Sequence, residues 1–88
     1  MEVEWDSDKA LKNQAKHGVD LEEGATCLFD SNALVFEDES AVGESRWVLV
    51  GLSSKTRLLT VVYTLRGEDR IRLISARKAT RKEANSYA

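Results

Sequence analysis

Apolar residues recur along this chain with two different periods, and the change from one to the other divides it near residue 33. Val3 and Trp5 alternate with Glu2 and Glu4, which predicts a short opening edge strand with one buried face. The period then becomes helical. Asp6 is suited to cap a helix running to about His17, where Lys16 and His17 oppose the last carbonyls and Gly18 supplies a left-handed stop. Leu11 and Ala15 are expected to face the core. Asp20 with Glu23 has the form of a capping box for a second helix, with Leu21, Ala25, Leu28 and Phe29 on one side. Gly24 inside that helix costs about 1 kcal/mol relative to Ala, so a close approach of backbones is expected there.

From Ala33 onward the pattern is extended. Strands are expected at 33–37, 46–52, 57–65 and 70–77, each rich in Val, Leu, Ile, Trp or Tyr. The breaks at Ser53–Thr56 and Gly67–Asp69 have hairpin lengths, which predicts an antiparallel meander of about four strands. Thr80-x-x-Glu83 is a capping box for a short last helix holding Ala84 and Tyr87. The fold class is therefore α+β, with residues 1–88 forming one domain. Trp47-Val48-Leu49-Val50 and Leu58-Leu59-Thr60-Val61-Val62 are apolar on both faces, so the second side of the sheet needs cover from the last helix or from another chain.

Charge adds a direction to this picture. Residues 1–44 carry 3 Lys and 12 Asp and Glu, a balance of −9, whereas residues 45–88 carry 10 Lys and Arg and 3 Asp and Glu, a balance of +7. Seven of the late cations are arginine, whose planar fork matches phosphate, so nucleic acid is the first partner to consider. Cys27 is the one cysteine and reads as a small apolar residue; no disulfide and no structural zinc site is expected, and no cofactor. No apolar run approaches the roughly 18 residues of a membrane span, and the acidic N-terminus has no signal core, so a cytoplasmic location is the default.

Three groups of residues are candidates for chemistry. His17, in Lys16-His17-Gly18, is the side chain whose ordinary pKa suits proton transfer near neutrality, although a helix C-terminus would also favour Lys and His there. Lys9, Lys12, Asn13 and Lys16 share one side of the first helix, either as a solvated face or as a ridge that tracks phosphates. Arg72 and Arg77 have opposite parity on the last strand and can share a face only if a bulge or the strand end intervenes. Tyr63, Arg66, Glu44 and Arg46 would meet near Arg77 in a meander, giving cations and proton-transfer groups without metal ligands.

These residues resemble the BrnT toxin family. Trp5-Asp6, Lys9, Asn13, Lys16-His17-Gly18-Val19, Glu22-Glu23, Phe29, Asp30, Glu44-x-Arg46, Gly51, Val61-Val62-Tyr63-Thr64, Arg72-x-Ile74-Ser75-Ala76-Arg77, Glu83 and Tyr87 carry the resemblance along nearly the whole chain. Gly24, where the family often has Ala, and Leu21, where an aromatic is common, depart from it. The resemblance implies a RelE-like fold and the toxin of a type II toxin–antitoxin pair: a metal-independent endoribonuclease that arrests translation and is neutralised by a DNA-binding BrnA-like antitoxin. A toxin–antitoxin heterotetramer on operator DNA is the assembly it suggests. Under it, Arg77, Arg66 and Arg46 are expected to stabilise the transition state, His17, Glu44 and Tyr63 to move protons, and Lys9, Lys12, Lys16 and Arg72 to bind RNA. The alternative is a non-catalytic module that binds an antitoxin and assists operator repression.

Overall fold

The computed structural model describes residues 1–87. Its elements run β1 (Glu2–Glu4), α1 (Ser7–His17), α2 (Leu21–Thr26), a 3-10 turn (Cys27–Phe29), β2 (Leu34–Asp38), β3 (Arg46–Leu52), β4 (Leu58–Arg66), β5 (Arg70–Lys78) and α3 (Arg81–Ser86). The four long strands lie within one residue of their expected bounds. The caps also form as expected: Lys9 N–H donates to the Asp6 carboxylate at 3.0 Å, Gly18 closes α1 at φ 68°, and Thr80 and Glu83 make both bonds of a capping box.

The five strands form one mixed sheet in the order β1-β5-β4-β3-β2. Strands β2 to β5 are the antiparallel meander, and β1 returns to lie parallel to β5, with Val3 opposite Ile71. Helices α1 and α2 cover one face, where Val19, Leu21, Cys27, Leu49, Leu59, Val61, Leu73 and Ala76 make the core. Burial pushes the Cys27 thiol up to about 11, so this cysteine is a packing residue and no nucleophile. No helix among the described residues is long and apolar enough to cross a membrane.

Gly24 sits where α2 crosses β5. A Cβ there would lie 2.7 Å from the Ala76 Cβ, so the residue exists for close approach. Replacing Gly24 by Ala should therefore destabilise the fold by about 1–2 kcal/mol, overpacking outweighing the better helix propensity. Urea titration checks this, and a more stable variant would show that the helix moves freely.

Three expectations about the helices are corrected. Leu11 is 72% exposed and Ala15 is also exposed, while Asn13 is buried. The cause is the free edge of β5 beyond β1: the Asn13 side-chain amide donates to the carbonyls of Ala76 at 2.9 Å and Val19 at 2.8 Å, and its oxygen accepts from Ala76 N–H at 3.1 Å. Asn13 thus stands in for a neighbouring strand and turns α1 about its axis. The box at Asp20 is absent, since Asp20 accepts from Glu22 N–H while Glu23 turns inward to Ser53 and Arg57. Phe29 is 76% exposed because the helix tightens at Cys27, which takes the buried place.

Candidate active site

Register decides which side chains share the face that α1 and α2 leave open. Thr60 pairs with Arg77, Val62 with Ser75 and Thr64 with Arg72, yet Tyr63 pairs with Leu73, so Ile74 is an extra residue in β5. That bulge reverses the parity of the strand, and Arg72 and Arg77 fall on one face after all. Glu2 and Glu4 join them from β1, opposite Arg70 and Arg72, and Arg66 lies opposite Arg70. One step beyond the Trp47–Tyr63 pair, Arg46 lies across from Thr64, and Asp38 lies beside Arg46 on β2.

The upper end of this face is a lattice of arginines and carboxylates. Arg66 meets Glu44 at 3.1 Å, Arg72 meets Glu4 at 2.9 Å, and Arg70 bridges Glu2 at 3.3 Å and Glu4 at 3.2 Å. Arg46 makes no ion pair among the described residues within 4 Å, and is an exposed cation. Thr64 lies in their midst at 1% exposure, and its Oγ1 has no hydrogen-bond partner among the described residues. Buried hydroxyls are almost always bonded, and an orphan beside guanidinium groups points to a bond that is made to something else. Composition hid this residue, because a threonine in mid-strand is ordinary β-sheet sequence.

The lower end is organised around Arg77. Its guanidinium holds Glu83 through two bonds of 2.7 and 2.9 Å, and Glu83 also accepts the Thr60 hydroxyl at 2.8 Å and the Thr80 N–H. These donors, Arg77 foremost, hold the Glu83 carboxyl down at about 2. Tyr87 donates to Asp30 at 2.6 Å, so α3 is pinned across this end of the open face. Arg77 is six residues from Arg66 by register, about 20 Å at 3.4 Å per residue. Arg46 and Arg66 are therefore brought together, and Arg77 stands apart from them on the same face.

Two of the expected proton-transfer groups lie elsewhere. Tyr63 pairs with Leu73 on the helix-covered face, and burial raises its phenol pKa. His17 lines a cavity of about 220 Å3 beside the β5 bulge, with Lys9, Lys12, Lys16, Ile74 and Ser75. The three lysines thus share one side of α1 around the buried Asn13, beside the edge of the same open face at Ser75. Of the seven arginines, five are engaged by carboxylates: Arg57, Arg66, Arg70, Arg72 and Arg77. The late cations expected to be free are mostly held within the fold.

The sequence profile of the ribonuclease toxin BrnT of type II toxin–antitoxin systems matches residues 5–83. The chain belongs to the BrnT family. The fold agrees: the crystal structure of the Brucella abortus ribonuclease toxin BrnT superposes with a TM-score of 0.72 at 26% identity, covering 92% of this chain and 99% of that one. No protein of curated function matches the sequence. Membership in the BrnT family makes this a toxin of the ribonuclease class and implies an antitoxin partner and an RNA substrate.

Proposed function

We propose that this chain is an endoribonuclease that works without a metal ion and cleaves RNA on the open sheet face around Thr64. The orphan Thr64 hydroxyl, with Arg46, Arg66 and Arg72 as its neighbours in sheet register, carries the reading. A phosphodiester placed there exchanges protein carboxylates for phosphate oxygens, each guanidinium offering a two-pronged donor. Glu44, held beside Arg66, takes the proton of the ribose 2′-hydroxyl as its oxygen bonds to phosphorus. The bond to the 5′ oxygen breaks, and that oxygen takes a proton from water. A 2′,3′-cyclic phosphate remains. Arg46, Arg66 and Arg72 stabilise the pentacoordinate charge, in place before the reaction begins. Lys9, Lys12 and Lys16, with His17, track the backbone at the adjoining edge. Arg77 enters this reading as the residue that places α3, and Tyr63 takes no part.

The remaining features of the proposal follow the family: a single toxin domain of RelE-like fold, and a BrnA-like antitoxin that joins it in a heterotetramer and carries the operator-binding domain. The test is RNA cleavage by the purified chain with EDTA present, beside the Thr64→Val variant. Valine removes an unpaired polar atom at nearly the same volume, so stability should stay level or rise. Cleavage should fall about ten-fold, the worth of one hydrogen bond to a charged phosphate. Full activity of Thr64→Val removes the site from this position, and activity abolished by EDTA removes the metal-free mechanism.

The extensive pairing of arginines favours a second reading in one respect. A face already neutralised by its own carboxylates suits a binding module that meets an antitoxin and does no chemistry. Antitoxin binding at full strength by a chain that leaves RNA intact would decide for it.

A further inference from the structure

The two edges of the sheet are treated differently. On one side β1 is only three residues long, and beyond it the Asn13 side chain occupies the backbone groups of Ala76. On the other side β2 presents five residues, Leu34–Asp38, with no strand beyond it among the described residues. An open edge of this length is a template for another strand, and folds that keep none blunt it with charge pointed inward, proline or a covering loop. Here both flanks of the edge are apolar. Val35, on the helix-covered side, and Phe36, on the open side, are each 50% exposed. Five of the eight exposed large hydrophobic residues fall at β2 or beside it in the chain and sheet: Phe29, Val35, Phe36, Val42 and Leu52.

The charge of this edge selects among occupants. Residues 29–46 hold five carboxylates against one cation, Arg46. Asp30 accepts from Tyr87, Glu44 pairs with Arg66 and Asp38 accepts from Ser40, so the acidic run Glu37, Asp38 and Glu39 at the end of the strand makes no ion pair among the described residues. A second copy pairing edge to edge in the antiparallel sense of a two-fold axis would set Glu37 and Asp38 against Val35 and Leu34, which gives the acidic run no cation. We infer that the β2 edge is a docking site for an extended cationic segment of a partner protein, which adds a sixth strand with alternating apolar residues and Lys or Arg. Backbone bonds supply the affinity, Val35 and Phe36 the apolar anchors, and the acidic run the preference for lysine or arginine. The identity of the partner as the antitoxin rests on the reading above; the surface itself does not.

The experiment uses the full chain, isotope-labelled, titrated with a synthetic peptide alternating valine and lysine and with one alternating valine and glutamate. The lysine peptide should shift and protect the amides of Leu34–Asp38. It should bind about ten-fold tighter than the glutamate peptide, a margin that shrinks as salt rises. The double variant Glu37→Lys with Glu39→Lys, both at exposed positions, should reverse the preference while leaving the remaining spectrum folded. Shifts confined to another surface, equal binding of the two peptides, an unaltered preference in the charge variant, or no binding at all would each overturn the inference. RNA cleavage measured on the same preparation keeps the two ideas apart: docking at β2 by an inactive chain supports this surface and removes the nuclease, and cleavage without docking does the reverse.

Discussion

Replacing Glu23 by Gln should lower the stability of this protein by about 2–4 kcal/mol, a shift of roughly 10–25 °C in a domain of this size. The carboxylate is 4% exposed as a residue and is fully committed: Arg57 Nε donates to it at 2.9 Å, Arg57 Nη2 bonds its second oxygen, and the Ser53 hydroxyl donates at 2.7 Å. Ser53 in turn accepts from Lys55 and Arg57 N–H, so one carboxylate organises the whole β3–β4 turn. Glutamine keeps the volume but brings an N–H2 where an acceptor is required. The loss is smaller than for a fully buried pair, because the Arg57 side chain is 35% exposed and can return to water. A double variant with Arg57→Met should recover part of the loss, since the penalty is mainly for the partner left behind.

The same group sets the response to acid. The Arg57 bonds hold the Glu23 carboxyl down at about 2, against 4.5 for an unpaired glutamate. A depressed folded pKa means stability that is complete above about pH 4.5 and is lost as pH falls through that window toward 2. Glu83, also at about 2, loses its share over the same range. Urea midpoints at pH 7 and pH 3 check both statements. The wild-type chain should fall steeply between them, and the Glu23→Gln chain less so. A variant with the wild-type midpoint at pH 7 would show that the pair contributes nothing.

The parts of this fold that local chemistry specifies were legible, and the parts that depend on distant partners were not. Asp6, Gly18, Thr80 and Glu83 act on atoms within a few residues of themselves, so spacing alone identifies them. The meander follows from period-two runs and short breaks. Asn13 has one partner, Ala76, 63 residues away, and Glu23 has its own 30 and 34 residues away. Nothing in an 11-residue window distinguishes a polar residue that caps from one that turns inward to meet a strand edge, so the sequence places Asn13 on the lysine stripe and Glu23 in a capping box. Arginine behaves the same way in reverse. Counting cations predicts a basic half, but Glu2, Glu4, Glu23, Glu44 and Glu83 reach those cations through the fold, and four of these five carboxylates come from the acidic half. The charge asymmetry along the chain is thus largely cancelled in space. Parity supplied one long-range statement in advance: Arg72 and Arg77 share a face only where a bulge or the strand end intervenes, and Ile74 is that bulge.

Arg66→Ala should reduce RNA cleavage by about 100- to 1,000-fold with little change in stability, the loss typical of removing one fixed donor to transition-state charge. Its ion pair with Glu44 joins two side chains that are each nearly half exposed, at 47% and 45%, so the fold gains little from it. Arg77→Ala should behave in the opposite way. Its bidentate bond anchors a carboxylate that also caps α3 and accepts from Thr60, so its removal leaves Glu83, at 19% exposure, without its main partner. Melting should drop by several degrees, and cleavage should fall only as far as the loosened α3 disturbs the face beside it. Glu83→Gln separates the two roles further, because it frees Arg77 while undoing the same anchor. If Arg77→Ala keeps its melting temperature and loses cleavage as completely as Arg66→Ala, then the catalytic centre extends to the lower end of the face and α3 must leave it when RNA binds. If Arg66→Ala cleaves normally, the upper lattice is structural, and the unpaired Thr64 hydroxyl has no bearing on RNA.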